Sequence, residues 1–418
     1  MSRKYRALTG VGAVIVLVTS LTACATGTAP SAATSATASG SAPGGGSAPV
    51  VDGVAQVKVT LTADGGDACT ADFLTAPAGP VTFTVQNVDS TAITEVELQS
   101  ELKILGEREN LAPGLPPAGF TVTLDGGQYT LYCLGATPET QTFTVTGQAA
   151  AAPTGSTATL LNAGSKEYGT WVTGQAEEMK TAVTNLKTAA DSGDLAKAQA
   201  AYIQARPFYE KIESDVEGFV MPGFAVDDNK GNLDYLIDMR ASNLDEKVGW
   251  SGFHAVERDL WKAAKIGAAT KEYAADLDSN VTKLVDVVKT LTFKPEDLAN
   301  GAAALLEEVQ SNKITGEEEQ FSHIDLLDFA ANVEGARQAF AYLQPGLEKI
   351  DADLVTQVVT EFGNVEAALS KLRDKASPGG YIPWTEENRD TYAKELSQAV
   401  LALQQPMQKI AEKVATAQ

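Results

Sequence analysis

The chain has 418 residues and a formal net charge of −22, from 32 Lys and Arg against 54 Asp and Glu. Neutralising phosphates needs a basic surplus, so this balance excludes nucleic acid as a partner and favours cations. No interior stretch reaches 18 uninterrupted apolar residues, which excludes a polytopic membrane protein. At roughly 150 residues per domain, the length predicts two or three domains.

The N-terminus carries Arg3, Lys4 and Arg6, then an apolar run from Ala7 to about Leu21. A basic start, a short apolar run and small residues at the cut describe a secretory signal over 1–23. Leu21-Thr22-Ala23-Cys24 resembles the bacterial lipobox, which implies lipidation of Cys24. The expectation is an exported protein, anchored to the cell membrane by an N-terminal lipid on its periplasmic or extracytoplasmic face. Residues 24–50 are Ser, Ala, Thr, Gly and Pro without charge, and read as a flexible tether. Beyond Cys24 only Cys69 and Cys133 remain. Two cysteines in an exported chain default to one disulfide, with metal ligation as the alternative.

Residues 51–147 alternate with a period of two. Val57, Val59 and Leu61, then Val81, Phe83 and Val85, then Phe120, Val122 and Leu124, then Phe143 and Val145 mark strands. Turn signals such as Asp64-Gly65-Gly66 and Asp125-Gly126-Gly127 separate them, so a β-sandwich is predicted. The pattern resembles a cupredoxin. A blue-copper site needs two His and a Cys, and this segment has no His, so blue-copper electron transfer is excluded. What it offers is Glu95 and Glu97, which share a strand face, followed by Glu101, Glu107 and Glu109. With Cys69 and Cys133 nearby they form a possible second metal site, copper being conceivable. The plain alternative is a solvated acidic edge that discourages strand pairing. Residues 148–157 read as a linker.

From 158 to 418 the period becomes helical. Met179, Val183 and Leu186, then Val281, Leu284, Val285 and Val288, then Leu354, Val358, Val359 and Phe362, then Leu396, Val400, Leu403 and Met407 form apolar stripes. An all-α domain of one bundle or two packed bundles follows. Both histidines of the chain lie here among acids. His254 and Glu257 are three apart on a predicted helix, so one metal can take both. A lone helical His is more often a packing residue, but three neighbours add donors. Glu210 and Glu213 share a helix face. Asp238 precedes the His helix, with Arg240 suited to a bidentate carboxylate pair. His323 is followed by Asp325 and Asp328. Carboxylates with an imidazole suit iron, then manganese or zinc.

At these residues the chain resembles the EfeO family, exported components of EfeUOB-type iron uptake, with a cupredoxin-like N-terminal domain and an imelysin-like (His-x-x-Glu) peptidase-family domain. The resemblance rests on Gly252-Phe253-His254…Glu257 and Ile237-Asp238-Met239-Arg240. It also rests on the run from Glu307-Glu308 through Lys313 and Glu317-Glu318 to Ser322-His323-Ile324-Asp325, and on Glu107-Arg108-Glu109-Asn110 with Cys69 and Cys133. It implies binding of iron outside the membrane and delivery to a membrane permease, with a haem peroxidase as a further partner. The site it implies is His254, Glu257 and Asp238, plus Glu210 or Glu213, with Arg240, His323 and Asp325 in support. Two other readings stand beside it: a metal-dependent peptidase, as the family label suggests, and a non-catalytic surface scaffold. The expected function is not enzymatic, because Glu257 cannot easily be both ligand and general base and no second His lies one turn away.

Overall fold

The computed structural model describes residues 46–417 apart from 101–102, 149–153 and 226–227. The signal, Cys24, most of the tether and Glu101 lie outside the described residues. None of the described helices is long and apolar enough to cross a membrane.

Among the described residues ten strands come first: β1 (Val50–Val51), β2 (Val54–Thr62), β3 (Ala68–Ala71), β4 (Thr75–Pro77), β5 (Gly79–Asn87), β6 (Val96–Ser100), β7 (Lys103–Arg108), β8 (Ala118–Leu124), β9 (Gly127–Tyr132) and β10 (Thr140–Thr146). They make two sheets, β1-β2-β5-β8 with β3 on β2, and β4-β10-β9-β6-β7. Every second residue of β5 is buried, as the alternation of Val81, Phe83 and Val85 requires. Phe83 packs on Phe120 and Phe143 at ring-centroid distances of 5.2 and 5.0 Å, which knits the two sheets into the expected cupredoxin-like sandwich. Cys69 and Cys133 form a disulfide. That agrees with the default expectation and removes the alternative of metal ligation, because a bonded sulfur is no longer a thiolate donor.

Eleven α-helices follow among the described residues: α1 (Ser156–Ser192), α2 (Leu195–Glu210), α3 (Glu213–Val216), α4 (Leu233–Asp238), α5 (Gly252–Glu257), α6 (Ala268–Val288), α7 (Pro295–Glu308), α8 (Asp325–Ile350), α9 (Ala352–Ser370), α10 (Glu386–Met407) and α11 (Ile410–Ala415). α1 begins two residues before the expected boundary and ends on Gly193 in the left-handed conformation, while Asp194 caps α2 through the Lys197 amide. The predicted stripes face one continuous core rather than the cores of two bundles. Val359 is the exception at 49% exposure, because its neighbour Val358 already fills the buried position.

α7 packs the helical domain onto β7 and β8. The seam is polar. Asn300 Nδ2 donates to the Thr121 carbonyl at 2.7 Å, Lys294 Nζ to that of Thr123 at 2.6 Å, and buried Arg108 lies 3.6 Å from Glu307.

Candidate metal centre

His254 stands on α5 with its ring fully enclosed. Gly252 is why α5 can start where it does. Its φ is +68°, and a β-carbon there would land on the Ile237 carbonyl oxygen. The start of α5 therefore presses against the end of α4, which carries Asp238. Immediately after Glu257 the helix widens into a π turn over Arg258–Lys262, and a second π turn, Val309–Lys313, follows Glu308. Such turns re-aim side chains and recur at functional sites.

The three residues expected from the His-x-x-Glu and Ile-Asp-x-Arg segments do meet. His254 Nδ1 is 3.2 Å from Glu257 Oε2, and Nε2 is 3.6 Å from Asp238 Oδ1. Two donors that sequence reasoning missed complete the set. Glu318 Oε1 lies 3.3 Å from Nε2, and Glu319 falls within ligand distance of His254 and Glu257. One imidazole thus faces Asp238 and Glu318 through one nitrogen and Glu257 through the other, with Glu319 within ligand distance. Glu318 had been noted only within a family-like run and Glu319 not at all. The available signal was three consecutive carboxylates, Glu317-Glu318-Glu319, directly after Gly316.

Neither Glu210 nor Glu213 joins these groups of three. Glu210 pairs with Arg206 at 2.5 Å and Lys313 at 3.2 Å, and Glu213 pairs with Lys313 at 3.3 Å. Arg240 does not clamp one carboxylate in bidentate fashion, as expected; its Nη1 bridges Glu308 at 3.1 Å and Glu318 at 3.2 Å. His323 keeps its ring out of the cluster. Its backbone, at φ +58°, donates to the Glu319 carbonyl at 2.8 Å, while Asp325 Oδ1 accepts from the Glu319 amide at 3.1 Å. Both are therefore braces for Glu319.

Burial would lower the His254 pKa, but hydrogen bonds with Glu257 and Glu318 hold it well above the ordinary value. Burial pushes Asp238 up to about 8 against the pull of Arg206 and His254, and Glu257 up to about 7. Glu318 runs the other way. Burial opposes its ionisation, but Lys313 and Arg240 outweigh that and keep it well below the usual carboxylate range.

The acids of the sandwich converge on a second place. Glu97 on β6 and Glu107 on β7 are cross-strand partners, and Glu95 brings a third carboxylate within ligand distance. They are not a solvated edge. They line a cleft of about 450 Å³ between the domains, together with Glu109, Glu217 and Glu308. Burial, reinforced by neighbouring carboxylates, raises Glu97 to about 7 and Glu107 to about 8, and lifts Glu95 and Glu109 well above their ordinary values. Glu308, held down to about 2 against burial by Arg240 and Lys313, belongs to both places: it lines the cleft and shares Arg240 with Glu318.

The peptidase M75 (imelysin) family matches residues 164–410. Iron uptake system component EfeO of Escherichia coli (strain K12) is 33% identical over 341 residues, which cover 81% of this chain and 86% of that protein. The EfeO of Shigella flexneri gives the same figures. Among solved structures, an iron-regulated protein A precursor from Parabacteroides distasonis aligns at 16% identity over 63% of this chain and 96% of its own, with a TM-score of 0.47. Rusticyanin from Thiobacillus ferrooxidans aligns at 13% identity over 24% of this chain and 86% of its own, with a TM-score of 0.21. Matched along more than half its length by the one family, and along four-fifths by curated relatives, the chain belongs to the imelysin family and, within it, to the EfeO iron uptake components.

Proposed function

We propose that this chain is the extracytoplasmic iron-binding component of an EfeUOB-type uptake system. It holds iron at His254 and Asp238, joined by Glu318, with Glu257 on the other ring nitrogen and Glu319 beside it, and delivers it to a membrane permease alongside a haem peroxidase. A lipid on Cys24 keeps it at the membrane. The observation that carries this reading is one buried imidazole with carboxylates converging on both nitrogens from α4, α5 and the 318–319 loop. Oxygen donors with a single imidazole suit iron better than a softer metal. The cleft acids Glu95, Glu97 and Glu107, with Glu109, form a second station. With the sulfurs of Cys69 and Cys133 bonded to each other, its donors are all oxygen, which favours a hard cation over copper.

Hydrolysis fits less well. Glu257 Oε1 accepts the Phe321 and Ser322 amides at 2.7 Å each and Oε2 faces His254, so neither oxygen is placed to activate water. The test is an anaerobic ferrous titration of metal-stripped protein. We expect the tight site to vanish in His254→Ala and to survive in Glu107→Gln. Equal affinity and stoichiometry in His254→Ala and wild type would remove the assignment.

A further inference from the structure

The carboxylates around His254 already grip a cation of the protein's own. Arg206 on α2 is completely buried. Its guanidinium spans both oxygens of Asp238 at 2.5 and 3.1 Å and reaches Glu318 at 2.8 Å and Glu319 at 3.0 Å. Its Nη2 stands 3.4 Å from His254 Nε2. A metal bound by His254 Nε2, Asp238 and Glu318 needs the space that this guanidinium fills, so the two cations exclude each other.

A second seat lies beside the first. Glu210 Oε1 is 2.5 Å from Nη2, and Asp328 Oδ2 is 3.4 Å from Nε. Both residues are fully buried; Glu210 already pairs with Arg206 and, at 3.2 Å, with Lys313 Nζ, while Asp328 Oδ1 meets no donor. Buried acceptors without donors are uncommon and costly. That oxygen adjoins the Arg206 guanidinium, which a small shift would bring to it. The Phe253 ring, with its centroid 5.2 Å from the guanidinium carbon, gives that shift a flat wall to move along.

We propose that Arg206 is a displaceable internal counter-cation: iron entering at His254 Nε2 pushes the guanidinium off Asp238 and Glu318, while it keeps Glu210 and closes on Asp328. The inference rests on the His254 assignment and adds how that centre fills and empties. Keeping carboxylate partners on the far side spares the guanidinium from standing unpaired in a dry pocket while the metal takes Asp238 and Glu318. Return of the guanidinium drives the metal out, which a carrier needs and a cage of unopposed carboxylates would resist. Arg206 is a positioning residue in this scheme, since it never touches the metal.

The test compares ferrous affinity and chelator-capture release rates, anaerobically, in the full chain. Arg206→Gln should bind iron about tenfold tighter or more and release it more slowly, because the competitor is gone. A merely structural arginine would give the opposite sign. Asp328→Asn, which spoils the second seat and leaves the proposed ligands intact, should bind about tenfold more weakly. Equal or weaker binding in folded Arg206→Gln overturns the exchange. Should Arg206→Gln not fold, unchanged affinity in Asp328→Asn overturns it instead. His254→Ala separates the two readings. Iron binding lost there, but unaltered in the arginine variant, sinks the exchange alone; iron binding kept there sinks the site and the exchange together.

Discussion

His254 shows how a single residue's surroundings set the chemistry available to it. With a carboxylate facing each nitrogen, the protonated ring is favoured, and its pKa stands well above the ordinary value. Asp238 and Glu257, raised to about 8 and about 7, also carry protons for part of the time at neutral pH. Metal must displace these protons, so binding should tighten as pH rises from 6 to 8. Calorimetry at pH 7 in two buffers of different ionisation enthalpy should report more than one proton released per ferrous ion. A heat independent of buffer would contradict it. The sequence showed His254 and Glu257 because they share one helical turn, and Asp238 because a recognisable segment carries it. Glu318 and Glu319 were hidden because they reach the ring from an irregular loop 64 and 65 residues further along.

At the scale of elements, the centre depends on two short helices meeting end to start. α4 is only six residues long and so is α5, too short to be stable alone, and they are held by the core that Ile237, Phe253 and Val256 enter. Their approach is possible because residue 252 has no side chain. Gly252→Ala should cost about 1–3 kcal/mol of stability, through the positive φ and the collision with the Ile237 carbonyl. It should also weaken iron binding by separating Asp238 from His254. Thermal unfolding and ferrous titration of the variant check both effects, and wild-type values in each would show that the two helices are not coupled in this way. The helical periodicity found α1, α6, α9 and α10, which are long and amphipathic. It did not delimit α4, α5 or the π turns, since elements of five or six residues carry too little pattern.

For the molecule as a whole, the excess of acid is unevenly spent. Much of it is gathered at the seam between the domains, where burial favours the neutral carboxyl. Glu97 and Glu107 have folded pKa values of about 7 and about 8, above the unfolded value. Their contribution to stability is therefore fully present below the unfolded value and is lost as pH rises through 7 and 8. The metal-free protein should melt at a lower temperature at pH 8.5 than at pH 5.5. Glu107→Gln should flatten that slope, and a ferrous or other hard divalent ion should restore stability at the higher pH. A slope identical in Glu107→Gln and wild type would place its origin elsewhere.

The sequence by itself determined the two-domain order, the sandwich, the helical domain and the core of the centre, because alternation, helical period and the His254–Glu257 spacing are local properties of the chain. It also supplied the acids of the sandwich, but left open whether they form a metal site or a solvated edge, and whether Cys69 and Cys133 form a disulfide or bind metal. Only the tertiary structure decided that Cys69 and Cys133 are bonded to each other, that those acids face the helical domain across a buried cleft, and that Arg206 sits among the ligands of His254. Each of these depends on which residues distant in sequence become neighbours, and that is set by the packing of the cores rather than by any local pattern.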